Sequence, residues 1–435
     1  MPAITHAGIT IDFNNQKQRV DMVGADMERS ANWLQNASNT ADIIQWVFND
    51  AKNVDYLRVV FDKKQELTEG SPNFAFYNTQ ITSMQQILAA HPWVKFWGTL
   101  KTDYDGFGTN NNLPDWIYTG GGYNGGSYDP TQLDTTKYAD FIVDYLELMD
   151  DNAVTISYFS VGKEWTQVID AQREKETIDK VTAECAVRGV PVPKFVGPAT
   201  WGVGGGNNFL NAVSANGWQG RYWGFCTHEY DGASESSWET FVNKAASMGK
   251  KSYNEESNLG GGGPTYGVEV DIANPISKFS SRARFYRAGL DGEVVFENWS
   301  RGVTKETRSI YFTNNQPGVR MRGYYIWKAF TGNTVWGYYV TTNKSSNLSN
   351  LETMTFRKGN SVTTWVMNNS GTTYWNVYFG LSGKTLNASE SVQNLYWTNS
   401  TAATGTTHTF EEMNATQFKR TIPANSICRF TYTIN

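Results

Sequence analysis

The chain has 435 residues, 40% of them hydrophobic and 18% charged, and a formal net charge of −5. That length suits one large barrel with a smaller appendage. With no apolar run near the roughly 18 residues of a membrane span and no lysine or arginine block, neither a membrane nor nucleic acid is expected as a partner.

Cys185, Cys226 and Cys428 stand far apart with no CxxC spacing, and the four histidines are scattered, so no disulfide framework, zinc site, metal or cofactor is expected. Aromatic residues make up 14% of the chain. Their flat faces suit sugars, although aromatics also fill cores.

The amino terminus, MPAITHAGITIDF, carries no basic n-region and no apolar h-region. The expected location is nonetheless secreted or periplasmic, with a signal peptide already removed. ITIDFNNQKQRV, within residues 1–20, reads as strand, turn and strand.

From there to about residue 331, short apolar or β-branched runs alternate with helical patterns. Eight strands are expected, at VDMVGADM, DYLRVVF, VKFWGTL, ISYFSVGKE, KFVGPAT, YWGFCTHEY, KKSYNEES and GEVVFENW. Amphipathic segments between them include TADIIQWVFNDA, TQITSMQQILAAH, TTKYADFIVDYLELMDD and SSWETFVNKAASMG, with Thr or Ser available to start several. Eight strands with helical crossovers predict an α/β fold, a (β/α)8 TIM barrel, with its active site at the carboxyl ends of the strands.

After residue 332 the texture turns to Thr, Asn and Ser with apolar residues at every second position, as in SVTTWVMNNSG and YWNVYFGLSG. This predicts a carboxyl-terminal β-sandwich over 332–435, which the strands of residues 1–20 are candidates to join.

The strand ends collect Asp26, Glu28, Arg58, Lys101, Asp103, Lys163, Glu164, Trp201, His228, Glu229, Tyr230, Glu255, Glu256, Glu297 and Trp299. Charges converging on one barrel mouth are costly to desolvate unless paired or used. Glu164 ends the fourth strand and Glu255 the seventh, on opposite sides of the barrel, which is the minimum equipment for cutting a glycosidic bond. WGVGGGNN follows a strand and opens a helix, but it lacks the Gly-Lys-Ser/Thr of a P-loop and reads as a loop at the rim of a cleft.

This layout resembles the clan A glycoside hydrolases, especially families 30, 39 and 86. ITIDFNNQKQRVDMVGADMERSA is similar to the opening of family 30. TTKYADFIVDYLELMDDNAVTISYFSVGKEW resembles that family's helix and fourth strand, and IPANSICRFTYTI its closing sandwich strand.

The resemblance implies Glu164 as acid/base and Glu255 as nucleophile of a retaining double displacement, with Glu256 as the alternate nucleophile. It implies that Arg58 keeps the nucleophile ionised and that His228 and Tyr230 lie near it. Trp116, Trp165, Trp201 and Trp299 are candidate sugar platforms, Trp165 and Trp299 foremost, while Trp93 and Trp97 read as packing residues.

Lys163 departs from the pattern, which places Asn there to hydrogen-bond a sugar hydroxyl. A lysine only donates, and it asks for an anionic partner: a sulfate or carboxylate on the substrate, or the nucleophile itself. The expected partner is a polysaccharide or oligosaccharide, cut by a retaining endo-acting enzyme, with an algal galactan of agar, porphyran or carrageenan type favoured. Xylan and β-glucan are the alternatives, and a non-catalytic carbohydrate-binding barrel is the rival of another class. Long segments after the third strand, such as DYDGFGTNNNLPDWIYTGGGYNGGSYDP, suit the walls of a groove for a polymer.

Overall fold

A computed structural model describes residues 8–27, 34–102, 112–120, 129–164, 169–260, 268–300, 309–311, 315–387, 392–407 and 412–435. Glu28, Asp103 and Trp165 lie outside the described residues.

Eight parallel strands close into a barrel, as the alternation of runs predicts: Met22–Asp26, Val54–Phe61, Lys95–Leu100, Ile156–Ser160, Lys194–Thr200, Gly224–Thr227, Lys251–Ser257 and Gly292–Val295. Closure is made by the eighth strand pairing with the first, Met22 opposite Gly292. The strands are buried on both faces, which is why they read as near-continuous apolar blocks.

Helices follow the strands, and their starts are fixed by side chains that satisfy free backbone N–H groups. Asp134 accepts from Thr136 and Lys137 at the start of Thr135–Asp151, Asp170 from Arg173 ahead of Ala171–Arg188, and Ser234 from Ser237 ahead of Glu235–Ser247. Aspartate thus does at two of these starts what Thr or Ser was expected to do. The glycine-rich WGVGGGNN opens the helix Val203–Asn216, and the Asp231 carboxylate accepts from Gly204 N–H there.

The lower barrel interior is filled by Trp97, Tyr158, Val196, Tyr253 and Val294. Trp97 is an interior packing residue, as expected, but Trp93 stands 49% exposed. All three cysteines are buried and unbridged. No helix among the described residues is long and apolar enough to cross a membrane.

The second unit is one ten-stranded sheet. Strand Gly8–Arg19 lies inside it, antiparallel to Tyr338–Lys344 on one side and parallel to Tyr374–Ser382 on the other. The sheet curls over itself. Phe379 and Phe430 sit on strands five places apart in the sheet order, yet their rings are 4.9 Å apart, and Phe418 stacks on Phe379 at 4.7 Å. A sandwich-like core therefore arises from a single sheet, with its inward positions set by the period of two.

Helices Ala273–Ala288 and Arg322–Thr334 bind this sheet to the barrel through aromatic contacts. Phe279 meets Trp365 at 5.7 Å and Tyr286 meets Phe356 edge-on at 5.4 Å.

Candidate active site

The carboxyl ends of the strands carry two tiers of polar side chains. The lower tier is sealed. Asp26, Arg58, Thr99, Ser160, Cys226 and Glu255, contributed by six of the strands, are all fully buried.

Arg58 organises this tier. Its Nε donates to Asp26 Oδ2 at 2.6 Å and its Nη1 to Glu255 Oε1 at 3.0 Å, while Nη2 reaches Glu256. Glu255 is enclosed on every side: Thr99 donates to Oε1 at 3.1 Å, and Ser160 and Cys226 donate to Oε2 at 3.0 Å and 2.7 Å. Burial, reinforced by Glu255, pushes the Cys226 thiol well above its ordinary pKa, so it stays protonated as a donor.

The upper tier faces the mouth. Lys163 Nζ lies 2.8 Å from Glu256 Oε1, and the Tyr230 hydroxyl donates to Glu256 Oε2 at 2.7 Å. His228 Nδ1 stands 3.4 Å from Glu256 Oε2 and 3.5 Å from Glu164 Oε1. Thr102 donates to Glu164 Oε2 at 3.0 Å. A donor atom from each of Glu164, His228 and Glu256 falls within 4.8 Å of the other two.

Burial alone pushes the Glu256 carboxyl up, but Arg58, His228 and Lys163 outweigh it and hold the group well below the usual carboxylate range.

Local backbone geometry explains the placement. Pairing of the seventh strand with the eighth slips between Asn254 and Ser257, within which Glu255 turns to the interior and Glu256 to the mouth. Glu164 lies four residues beyond its strand at φ 54°, the left-handed region that a non-glycine residue enters at a cost. Its N–H donates to Ala199 O at 2.6 Å and its carbonyl accepts from Trp201 N–H at 3.3 Å, so the neighbouring strand holds the turn.

Glu164, Lys163, Arg58, His228, Tyr230 and Glu256 are thus brought together. Trp201 is 45% exposed, with its ring 6.1 Å from that of Tyr230. One tryptophan departs from expectation. Trp299 stands four residues past the eighth strand, in the short strand Trp299–Ser300 paired with Ile310–Tyr311, and is fully buried in the core, so it presents no ring face. Trp116 is half-buried against the core, with its indole N–H donating to Glu66 O at 2.9 Å. Glu255 is enclosed below the mouth, and the carboxylate facing Glu164 is that of Glu256. Thr102 escaped notice in the sequence because a lone threonine between Lys101 and Asp103 carries no signal.

No protein-family model matches the sequence, and no curated protein does. Solved structures do match over nearly the whole length. The family 30 subfamily 8 xylanase Xyn30A from Clostridium acetobutylicum superposes with a TM-score of 0.70 at 16% identity, covering 98% of this chain and 99% of that one. SrfJ from Salmonella typhimurium gives 0.73 at 13% identity, covering 100% and 94%, and an endo-β1,6-glucanase gives 0.67 at 13%, covering 98% and 94%. The chain therefore shares its whole architecture, barrel and curled sheet together, with structures of glycoside hydrolase family 30.

Proposed function

We propose that this protein is a retaining glycoside hydrolase that cuts β-linked polysaccharide within the chain, with neutral xylan or β-glucan as the substrate class. The observation that carries this reading is the facing pair Glu164 and Glu256, with donor atoms within 4.8 Å across the mouth. A retaining pair stands about 5 to 5.5 Å apart, whereas an inverting pair needs about 6.5 to 9.5 Å to admit a water.

Glu256 is the nucleophile in this reading. Arg58 and Lys163 keep it ionised, and Tyr230 fixes its second oxygen. It attacks the anomeric carbon while Glu164 protonates the departing glycosidic oxygen. Glu164 then takes a proton from the water that releases the glycosyl-enzyme. Glu255 cannot meet a sugar from its buried position, and its role is to hold Arg58. Trp201 offers the exposed ring for a sugar face, and His228 stands buried between the two carboxylates.

The preference for a sulfated or carboxylated galactan rested on Lys163 wanting an anion. Glu256 supplies that anion at 2.8 Å, so a charged polymer is no longer required to explain the lysine. The names of the similar structures, xylanases and an endo-β1,6-glucanase, support the neutral class.

Incubation with a panel of xylans, β-glucans, agar, porphyran and carrageenans, with NMR of the first anomer released, tests the reading. Turnover on a neutral polymer with retained configuration supports it. No turnover on any polymer, with binding unchanged in Glu164→Gln and Glu256→Gln, would establish a carbohydrate-binding barrel instead.

A further inference from the structure

His228 is fully buried, and neither ring nitrogen has a hydrogen-bond partner among the described residues. Such a group is costly unless it meets something. Its Nδ1 points between two carboxylates, 3.4 Å from Glu256 Oε2 and 3.5 Å from Glu164 Oε1.

Those spacings have a geometric meaning. Zinc binds imidazole nitrogen and carboxylate oxygen at about 2.0 to 2.2 Å, and ligands at the corners of a tetrahedron of that size lie roughly 3.4 Å apart. Both His228 distances match such an edge, and the Glu164 and Glu256 oxygens lie within 4.8 Å of each other, so the two carboxylates would close by up to about 1.4 Å around an ion. The oxygens are also the right ones. Glu256 Oε1 meets Arg58 and Lys163, whereas Oε2 accepts from the Tyr230 hydroxyl at 2.7 Å and is the oxygen turned toward His228.

His228 and Glu164 supply a nitrogen and an oxygen, a donor set that suits zinc better than magnesium or calcium.

We propose that Glu164, His228 and Glu256 form a three-donor site for a divalent cation of the zinc class, and that cation binding and sugar cleavage exclude one another. The ion would tie up both carboxylates through which the proposed chemistry runs. Metal binding itself does not depend on that chemistry.

Equilibrium dialysis of the chelator-stripped full chain against zinc tests this, with cobalt substitution as the spectroscopic readout. The expected result is one zinc per chain, no comparable uptake of magnesium, and the intense visible bands of four-coordinate cobalt. His228→Ala and Glu164→Gln, each checked for folding by circular dichroism, should each weaken zinc binding at least about tenfold. Hydrolysis should fall as zinc is added and return with a chelator. Absence of stoichiometric uptake, or uptake unchanged in both variants, would overturn the site. Zinc bound by all three residues without turnover on any polymer would leave the site standing and remove the hydrolase reading, whereas turnover indifferent to saturating zinc would overturn the mutual exclusion.

Discussion

Lys163 Nζ lies 2.8 Å from Glu256 Oε1, so the residue that precedes one mouth carboxylate neutralises the other. The two sites of charge are thereby coupled across the cleft, and Arg58 is left to divide itself among Asp26, Glu255 and Glu256.

Replacing the lysine should therefore harm cleavage of uncharged substrates. Lys163→Met is expected to lower kcat/KM on neutral xylan or β-glucan by about 10- to 100-fold, with Lys163→Arg recovering part of the loss. Steady-state kinetics on one neutral and one sulfated polymer measures this. A loss confined to the sulfated polymer would return the lysine to substrate recognition.

Adjacent glutamates should behave differently. Glu256→Ala is expected to lower turnover at least about a thousandfold, with added azide restoring it and yielding the inverted glycosyl azide. Glu255→Gln should stay within about tenfold of the parent and gain nothing from azide. Product configuration by NMR distinguishes the two, and azide rescue of a Glu255 variant would reverse the assignment.

Glu174 gives a pH dependence of stability. Packed behind the turn that carries Lys163 and Glu164, its Oε2 would lie 3.1 Å from a Cβ placed on Gly162. Burial pushes its carboxyl from 4.5 up to about 8, with Glu255 and Asp170 adding to the rise and the Tyr222 hydroxyl opposing it. The folded protein thus holds a proton that the unfolded chain releases. The contribution is fully present below about pH 4.5 and is lost as pH rises to about 8, at roughly 1.4 kcal/mol per pH unit as an upper bound. Urea unfolding of Glu174→Gln across that range should show a flatter profile than the parent. An unchanged slope would assign the pH dependence elsewhere.

Arg282 ties the seventh strand to the helix Ala273–Ala288. Its Nε donates to Glu293 Oε1 at 2.9 Å, Nη1 to Asn258 O at 2.7 Å and Nη2 to Ser257 Oγ at 3.1 Å, all out of solvent. Arg282→Met leaves the buried Glu293 without its cation and with the Tyr286 hydroxyl as its remaining donor, at an expected cost of about 3 to 5 kcal/mol in urea unfolding. Adding Glu293→Leu should recover part of that loss. Equal stability of the single and double variants would mean that the charge is solvated some other way.

The barrel was legible because parallel strands covered on both faces read as apolar blocks, and the curled sheet because its strands alternate. Strand ends also located the mouth. Finer placement was hidden. In a regular strand, adjacent residues point to opposite faces, so the choice between Glu255 and Glu256 depends on the register slip after Asn254, which leaves no mark in the sequence. Trp299 misled for a related reason: standing just past a strand, it was expected to line the cleft, but it packs into the core. The proximity of His228 to both carboxylates joins three separate strands and has no counterpart in local spacing.

Strand Gly8–Arg19 pairs with segments that follow the whole barrel, Ile9 opposite Lys344 and again beside Phe379. On the ribosome, it leaves the exit tunnel before every barrel strand and waits, with Ile9, Ile11 and Phe13 uncovered, until its neighbours have been translated. Completing the sheet is therefore the event that pairs both edges of this strand and hides its apolar face.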